Sequence, residues 1–148
     1  MRPDPERLAD TESWLRKAAN DLRCARIDLE ATPPATEDAV FHCQQAVEKA
    51  LKGFLVCYDA PFAKTHDLGK LGTSAVQLDA TLEPLIDRIV DLSKYAWMFR
   101  YPGDPVAPTL SEAQEVLSRA LLVVDELRNR IMRLEPQPGD NPGKISSA

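Results

Sequence analysis

Between Ala113 and Leu134 the apolar residues Ala113, Leu117, Ala120, Val124, Leu127, Ile131 and Leu134 recur in unbroken three- and four-residue steps. That spacing keeps one stripe of a helix apolar over six turns and has no counterpart in a strand, where the period is two. A second stripe, Leu8, Leu15, Ala18, Leu22, Ala25 and Leu29, ends before Pro33-Pro34, which a helix interior does not tolerate. Thr36, Glu37 and Asp38 supply a cap and first-turn acids for a further helix carrying Val40, Val47, Leu51, Phe54 and Tyr58. Beside these, Ala46, Ala50 and Gly53 leave a narrow strip where another backbone can come close. Thr65-His66-Asp67 opens a short third helix to about Leu78. A fourth is expected from about Thr81 through Phe99, with Pro84 in its first turn and Leu85, Ile86, Ile89, Val90, Leu92 and Ala96 as its apolar set. Pro102 to Pro108 is a loop, and Ser111 with Gln114 reads as the capping box of the last helix. No strand pattern or repeat interrupts this series. The expected fold is all-α, an up-and-down bundle of four to five helices over residues 1–135, with a polar, Pro/Gly-rich disordered tail at 136–148.

Composition narrows the function classes. With 44% apolar and 28% charged residues the chain has the balance of an ordinary soluble globular protein, and 148 residues suffice for one core. Its net charge of −5 argues against a protein that is basic throughout, while leaving room for a local basic patch. The first residues hold no signal-peptide pattern and no apolar run is long enough to span a bilayer, so a cytoplasmic, membrane-free protein is expected. Cys24, Cys43 and Cys57 are odd in number and form no CxxC pair, which suits reduced, packed thiols rather than a disulfide frame or a zinc site. Neither phosphate-cradling glycine motif is present, the histidines lack the Glu-x-x-His spacing of a di-iron bundle, and HExxH is absent. No metal and no cofactor is expected.

What remains is polar. In FHCQQAVEKALKG (Phe41 to Gly53), His42, Gln45, Lys49 and Lys52 share one helix face, and Gln44 and Glu48 form a row beside it. Spacing alone favours a solvated face with Glu48 and Lys52 paired four apart. The alternative is a surface that holds a phosphate with its lysines and a base edge with its amides. Asp21 interrupts the first helix next to its stripe, either exposed or paired with a buried Lys or Arg. His66 reads first as a cap or loop hydrogen-bonder, and Asp67 as an N-cap or first-turn acid of the third helix. Arg100 and Tyr101 end a helix at Pro102. Trp97, Phe99 and Tyr101 read mostly as core, although a ring beside Arg100 could stack on a base.

The order Trp14…Ala18-x-x-Asp21-Leu22-x-x-Ala25, then FHCQQAVEKALKG, KTHDL (Lys64 to Leu68) and RYPG (Arg100 to Gly103) resembles the HEPN domain, "higher eukaryotes and prokaryotes nucleotide-binding". The resemblance covers about residues 10 to 134. It implies a helical bundle, usually homodimeric, that binds a nucleotide or single-stranded RNA in a polar groove near the dimer interface. It also implies a minimal nucleotidyltransferase as partner in a toxin–antitoxin-like pair. Carried onto this chain, the binding residues are Asp21, His42, Gln45, Glu48, Lys49, Lys52, His66, Asp67, Arg100 and Tyr101. The ribonuclease members of the family carry Arg, four to six residues, then His, which would put a His by Val106 or Ala107. No His follows His66, so that signature is incomplete. Metal-independent cleavage of RNA would then have to use His66 or His42, with Arg100 as the remaining motif residue. A third reading is a purely structural partner-binding bundle whose dimer seam is the Ala113–Leu134 stripe.

Overall fold

The computed structural model describes residues 3–134, so the expected tail at 136–148 lies outside the described residues. Asp4 caps the first helix, α1 (Pro5–Glu30), by accepting from the Arg7 backbone N–H at 2.9 Å, and Pro5 occupies the first turn where no N–H is needed. The loop at 31–35 is short, so α2 (Thr36–Cys57) runs back against α1. Thr36 does not cap α2. It is the first helical residue, and Ala35 stands at the cap with no side-chain bond, leaving Glu37 and Asp38 to oppose the dipole. Gly53 permits a close crossing: a Cβ there would lie 3.0 Å from the Trp14 Cβ on α1. The small strip on α2 is therefore the α1 contact.

Asp67 caps α3 (Leu68–Leu78), accepting from Gly69 N at 2.8 Å and Lys70 N at 3.2 Å. The expected fourth helix is broken into a 3-10 turn (Ala80–Leu82), a short α4 (Glu83–Asp87) and a 3-10 segment (Val90–Ala96). The reason lies in the spacing of its buried residues. Ile86, Ile89 and Leu92 are three apart, which aligns on a three-residue turn but drifts round an α-helix. Bonds from Ile89 N to Ile86 O and from Leu92 N to Ile89 O, both 3.0 Å, follow that tighter winding. Arg119 also takes the Arg88 carbonyl at 3.0 Å, and Val90 turns outward.

The last helix, α5 (Leu110–Leu134), opens with a capping box two residues before the expected one. Thr109 Oγ1 accepts from Glu112 N at 3.1 Å and Thr109 N donates to Glu112 at 3.3 Å, so Ser111 and Gln114 do not form it. The α5 stripe is wider than read, since Val116 and Val123 are buried alongside Ala113, Ala120, Val124, Leu127 and Ile131. It packs on α2 and α1 inside the chain. That burial removes it as a dimer seam, because the residues assigned to the seam already form the core. Among the described residues there is no strand, and no helix is long and apolar enough to cross a membrane. The architecture is an all-α bundle with α2 at its centre.

Candidate functional site

The polar block on α2 is largely interior, contrary to the solvated face its spacing favours. Gln44 is fully buried and Glu48 is 4% exposed. Burying a carboxylate is costly unless donors surround it, and here they do. Glu48 Oε1 accepts from Lys52 Nζ at 2.8 Å. Its Oε2 accepts from Gln44 at 3.1 Å, from Gln45 at 3.3 Å, and faces His66 Nδ1 at 2.9 Å. Gln45 also donates to the Gln44 side-chain oxygen at 2.6 Å, and Gln44 donates to the His66 carbonyl at 3.2 Å. Burial alone would raise the Glu48 pKa. The hydrogen bonds from Lys52, His66 and Gln44 outweigh it and hold the carboxyl below its ordinary range. Glu48 thus stays ionised and fixes the loop that carries His66.

His66 leans out of this knot. Its side chain is 70% exposed. Because a carboxylate faces Nδ1, the proton belongs there, and Nε2 is left toward solvent as an acceptor or, in the charged ring, a donor.

A second knot ties α2 to α1. Asp21 is buried and accepts from Lys49 Nζ at 2.5 Å, with His42 Nδ1 at 3.1 Å from its other oxygen. Asp21 is therefore a paired residue and not an exposed one. The far nitrogen of His42, Nε2, stands 3.9 Å from Asp28 Oδ2, beyond hydrogen-bond reach. That Asp28 oxygen is buried without a hydrogen-bond partner. Desolvation raises the Asp28 pKa, while His42 lowers it and Asp38 raises it further. Cys43 belongs to the buried core. Burial, and then Asp28 and Asp21, push its thiol up to about 12, which makes it unreactive.

At the start of α2 the Arg100 guanidinium lies 3.9 Å from the Phe41 ring centroid, a cation–π contact. Among the described residues Arg100 has no carboxylate partner. The backbone passes through the left-handed region at Phe99, φ 65°, just before it. Phe41 and Glu48 are two turns apart on one face of α2, about 10 Å along its axis. Arg100 and His66 thus stand over the same row of α2, at either end of Gln44 and Gln45. No direct contact joins them.

Of the expected site residues, Gln45, Glu48, Lys52 and His66 meet in one knot and Asp21, His42 and Lys49 in the other. Asp67 serves as a helix cap. Tyr101 and Trp97 are corrected from core to surface, at 73% and 61% exposed, while Phe99 is partly buried. Asp28 and Phe41 belong to the arrangement and were not expected, and Gln44, named in the row beside the polar face but not among the binding residues, belongs to it too. Asp28 had a signal, since it lies seven residues after Asp21 on the same face of α1. Gln44, four before Glu48, had one too. The Phe41–Arg100 contact had none, being set by a loop. No cluster of His, Cys, Asp or Glu among the described residues could hold a metal ion.

The family model of the HEPN domain matches residues 11–130. A solved structure described as an archaeal HEPN homologue superposes with a TM-score of 0.63 at 24% identity, covering 82% of this chain and 97% of that one. At that identity the likeness concerns the fold. No curated protein matches the chain.

Proposed function

The chain belongs to the HEPN domain family, and from that premise we propose that it binds a nucleotide or single-stranded RNA along the polar face of α2. In this reading it works as a cytoplasmic homodimer beside a minimal nucleotidyltransferase, in a toxin–antitoxin-like pair. The observation that carries it is the Glu48 knot, a buried carboxylate that holds Lys52, Gln45 and His66 in fixed positions on one side of the helix. Pre-set donors lose little freedom when an anion arrives. Arg100, free of any carboxylate among the described residues, stands over the same row as a guanidinium fork for phosphate. Tyr101 beside it offers a ring for a base. The test is titration of ATP, GTP and a short oligoribonucleotide into the wild type and Arg100→Ala. Binding by the wild type that weakens at least tenfold in the variant supports the reading. Equal, negligible binding in both sinks it.

A second reading, a metal-independent endoribonuclease, is favoured by one observation. The 2.9 Å contact from Glu48 to His66 Nδ1 orients the ring and leaves Nε2 outward, the arrangement of a general acid–base imidazole held by a carboxylate. It predicts RNA cleavage in EDTA that His66→Ala abolishes. Intact RNA after prolonged incubation with wild type rules it out.

A further inference from the structure

The hydrogen bonds around Glu48 also fix which way the Gln45 amide faces. An ionised carboxylate and a backbone carbonyl accept and never donate. Gln44 touches one of each, Glu48 Oε2 at 3.1 Å and the His66 carbonyl at 3.2 Å, so its NH2 group must face them. Its carbonyl oxygen is then left for Gln45, whose NH2 group donates to it at 2.6 Å and to Glu48 Oε2 at 3.3 Å. Both N–H donors of Gln45 are therefore used inside the knot. Its oxygen, Oε1, has no partner among the described residues and, unlike Asp28 Oδ2, is not buried. The amides of the knot are thus turned so that α2 shows an acceptor to solvent.

We infer that Gln45 Oε1 sets the specificity of the proposed site, selecting a base with an exocyclic amino group (adenine, cytosine or guanine) over uracil. The inference rests on the nucleotide or RNA reading and narrows it to a class of bases. Turning the amide round would present its NH2 group outward. It would also point Oε1 at Glu48 Oε2 and Gln44 Oε1, acceptor against acceptor. A Gln on an open surface turns freely to match either kind of base edge, and this one is held in a single sense.

An amino group donates to the outward oxygen. The O4 of uracil in the same place sets a second acceptor against it and leaves both unpaired, which is how a fixed polar site rejects an analogue. The position of Gln45 suits this role. It lies four residues after Phe41, about 6 Å along the α2 axis, and the Arg100 guanidinium stands over the Phe41 ring. That offset leaves room for a ribose between a phosphate on Arg100 and a base edge on Gln45.

The experiment titrates ten-nucleotide oligocytidylate and oligouridylate into the full chain by calorimetry. The two share backbone charge and ring size and differ at the 4-amino group and the N3 proton, so neither phosphate contacts nor stacking separates them. Wild type is expected to bind oligocytidylate about tenfold more tightly, the worth of one hydrogen bond made against one lost. Gln45→Met keeps the side-chain length and leaves Glu48 with Lys52, Gln44 and His66, and it should bring that ratio to about twofold or less. Gln77→Met, the same change at an exposed position of α3, should leave the ratio in place. Equal binding of the two oligomers by wild type, or tighter binding of oligouridylate, overturns the inference and leaves the RNA reading standing. So does a preference that survives Gln45→Met. Binding of neither oligomer overturns the inference together with the RNA reading beneath it.

Discussion

The two knots on α2 use the same parts and do different work. Each is a buried carboxylate tied to one lysine and one histidine: Asp21 with Lys49 and His42, Glu48 with Lys52 and His66. The Asp21 knot joins α1 to α2, and its histidine is trapped between two carboxylates. The Glu48 knot adds two amides, and its histidine hangs from a loop into solvent. The first holds the bundle together and presents little. The second presents an imidazole and an amide at the surface while its carboxylate stays inside. Similar residue sets thus become a staple or a presenting platform according to whether the histidine comes from a helix or from a loop.

The sharpest way to break the contrast is Glu48→Ala. Lys52 is only 11% exposed and would lose its one carboxylate, while Gln44 would keep a buried amide with fewer partners. Removing one side of a buried pair costs about 3–5 kcal/mol, and a denaturant melt should register it. The isosteric Glu48→Gln adds a pH signature. Because the folded carboxyl titrates below its unfolded value, its stabilisation is present above the unfolded value and is lost as pH falls through the folded one. Wild type should therefore exceed Glu48→Gln in stability at neutral pH, and the gap should close on the acid side. A constant gap would mean that Glu48 contributes through packing and not through charge.

Asp21→Ala should cost less, about 1–3 kcal/mol. Lys49 is 26% exposed and can turn to water once its partner is gone, which Lys52 cannot do as readily. If thermal melts rank Asp21→Ala as the more damaging change, the staple matters more to the bundle than the platform. His66→Ala should be smaller again, about 0.2–1 kcal/mol, since its ring is mostly in water. Its larger effect belongs to function: loss of oligoribonucleotide binding or cleavage with only a small fall in melting temperature is the expected outcome.

How much of this the sequence carried follows from what each feature depends on. The α5 stripe was legible because burial on one helix face repeats at a fixed step. Asp67 as a cap was legible because capping is local, reaching only Gly69 and Lys70. Residues 81–99 read as one helix because apolar residues three apart satisfy both an α and a 3-10 template over a short run. The alternative was settled by tertiary contacts such as Arg119 on the Arg88 carbonyl. The polar block was legible as a face but not as an interior. Spacing put Gln44, Glu48 and Lys52 near one another, and only the position of the 64–67 loop decides that Glu48 is covered. Arg100 on Phe41 joins residues far apart in the chain and no local rule reaches it. Residue types and spacing therefore marked polar residues that cluster on α2, while their depth and their division into two knots came from packing.

The smallest expected effect has the opposite sign and tests the staple from inside. Asp28 Oδ2 is buried without a hydrogen bond, and its carboxyl titrates above the ordinary range through desolvation, with His42 only partly offsetting this. A carboxyl whose folded pKa is raised favours folding most when protonated. Its contribution is fully present below the unfolded value and is lost as pH rises through the folded one. At neutral pH Asp28 is thus a net strain on the knot that Asp21 stabilises. Asp28→Asn keeps the shape, removes the ionisation and gives a donor that can point toward Asp21 or the His42 ring. It should raise stability at neutral pH by about 0.5 kcal/mol or less and lose that advantage near pH 4. Paired denaturant melts at the two pH values measure it. A variant less stable than wild type at neutral pH would mean that Asp28 supports a charged His42, making the staple a two-carboxylate clamp and widening its difference from the single carboxylate under His66.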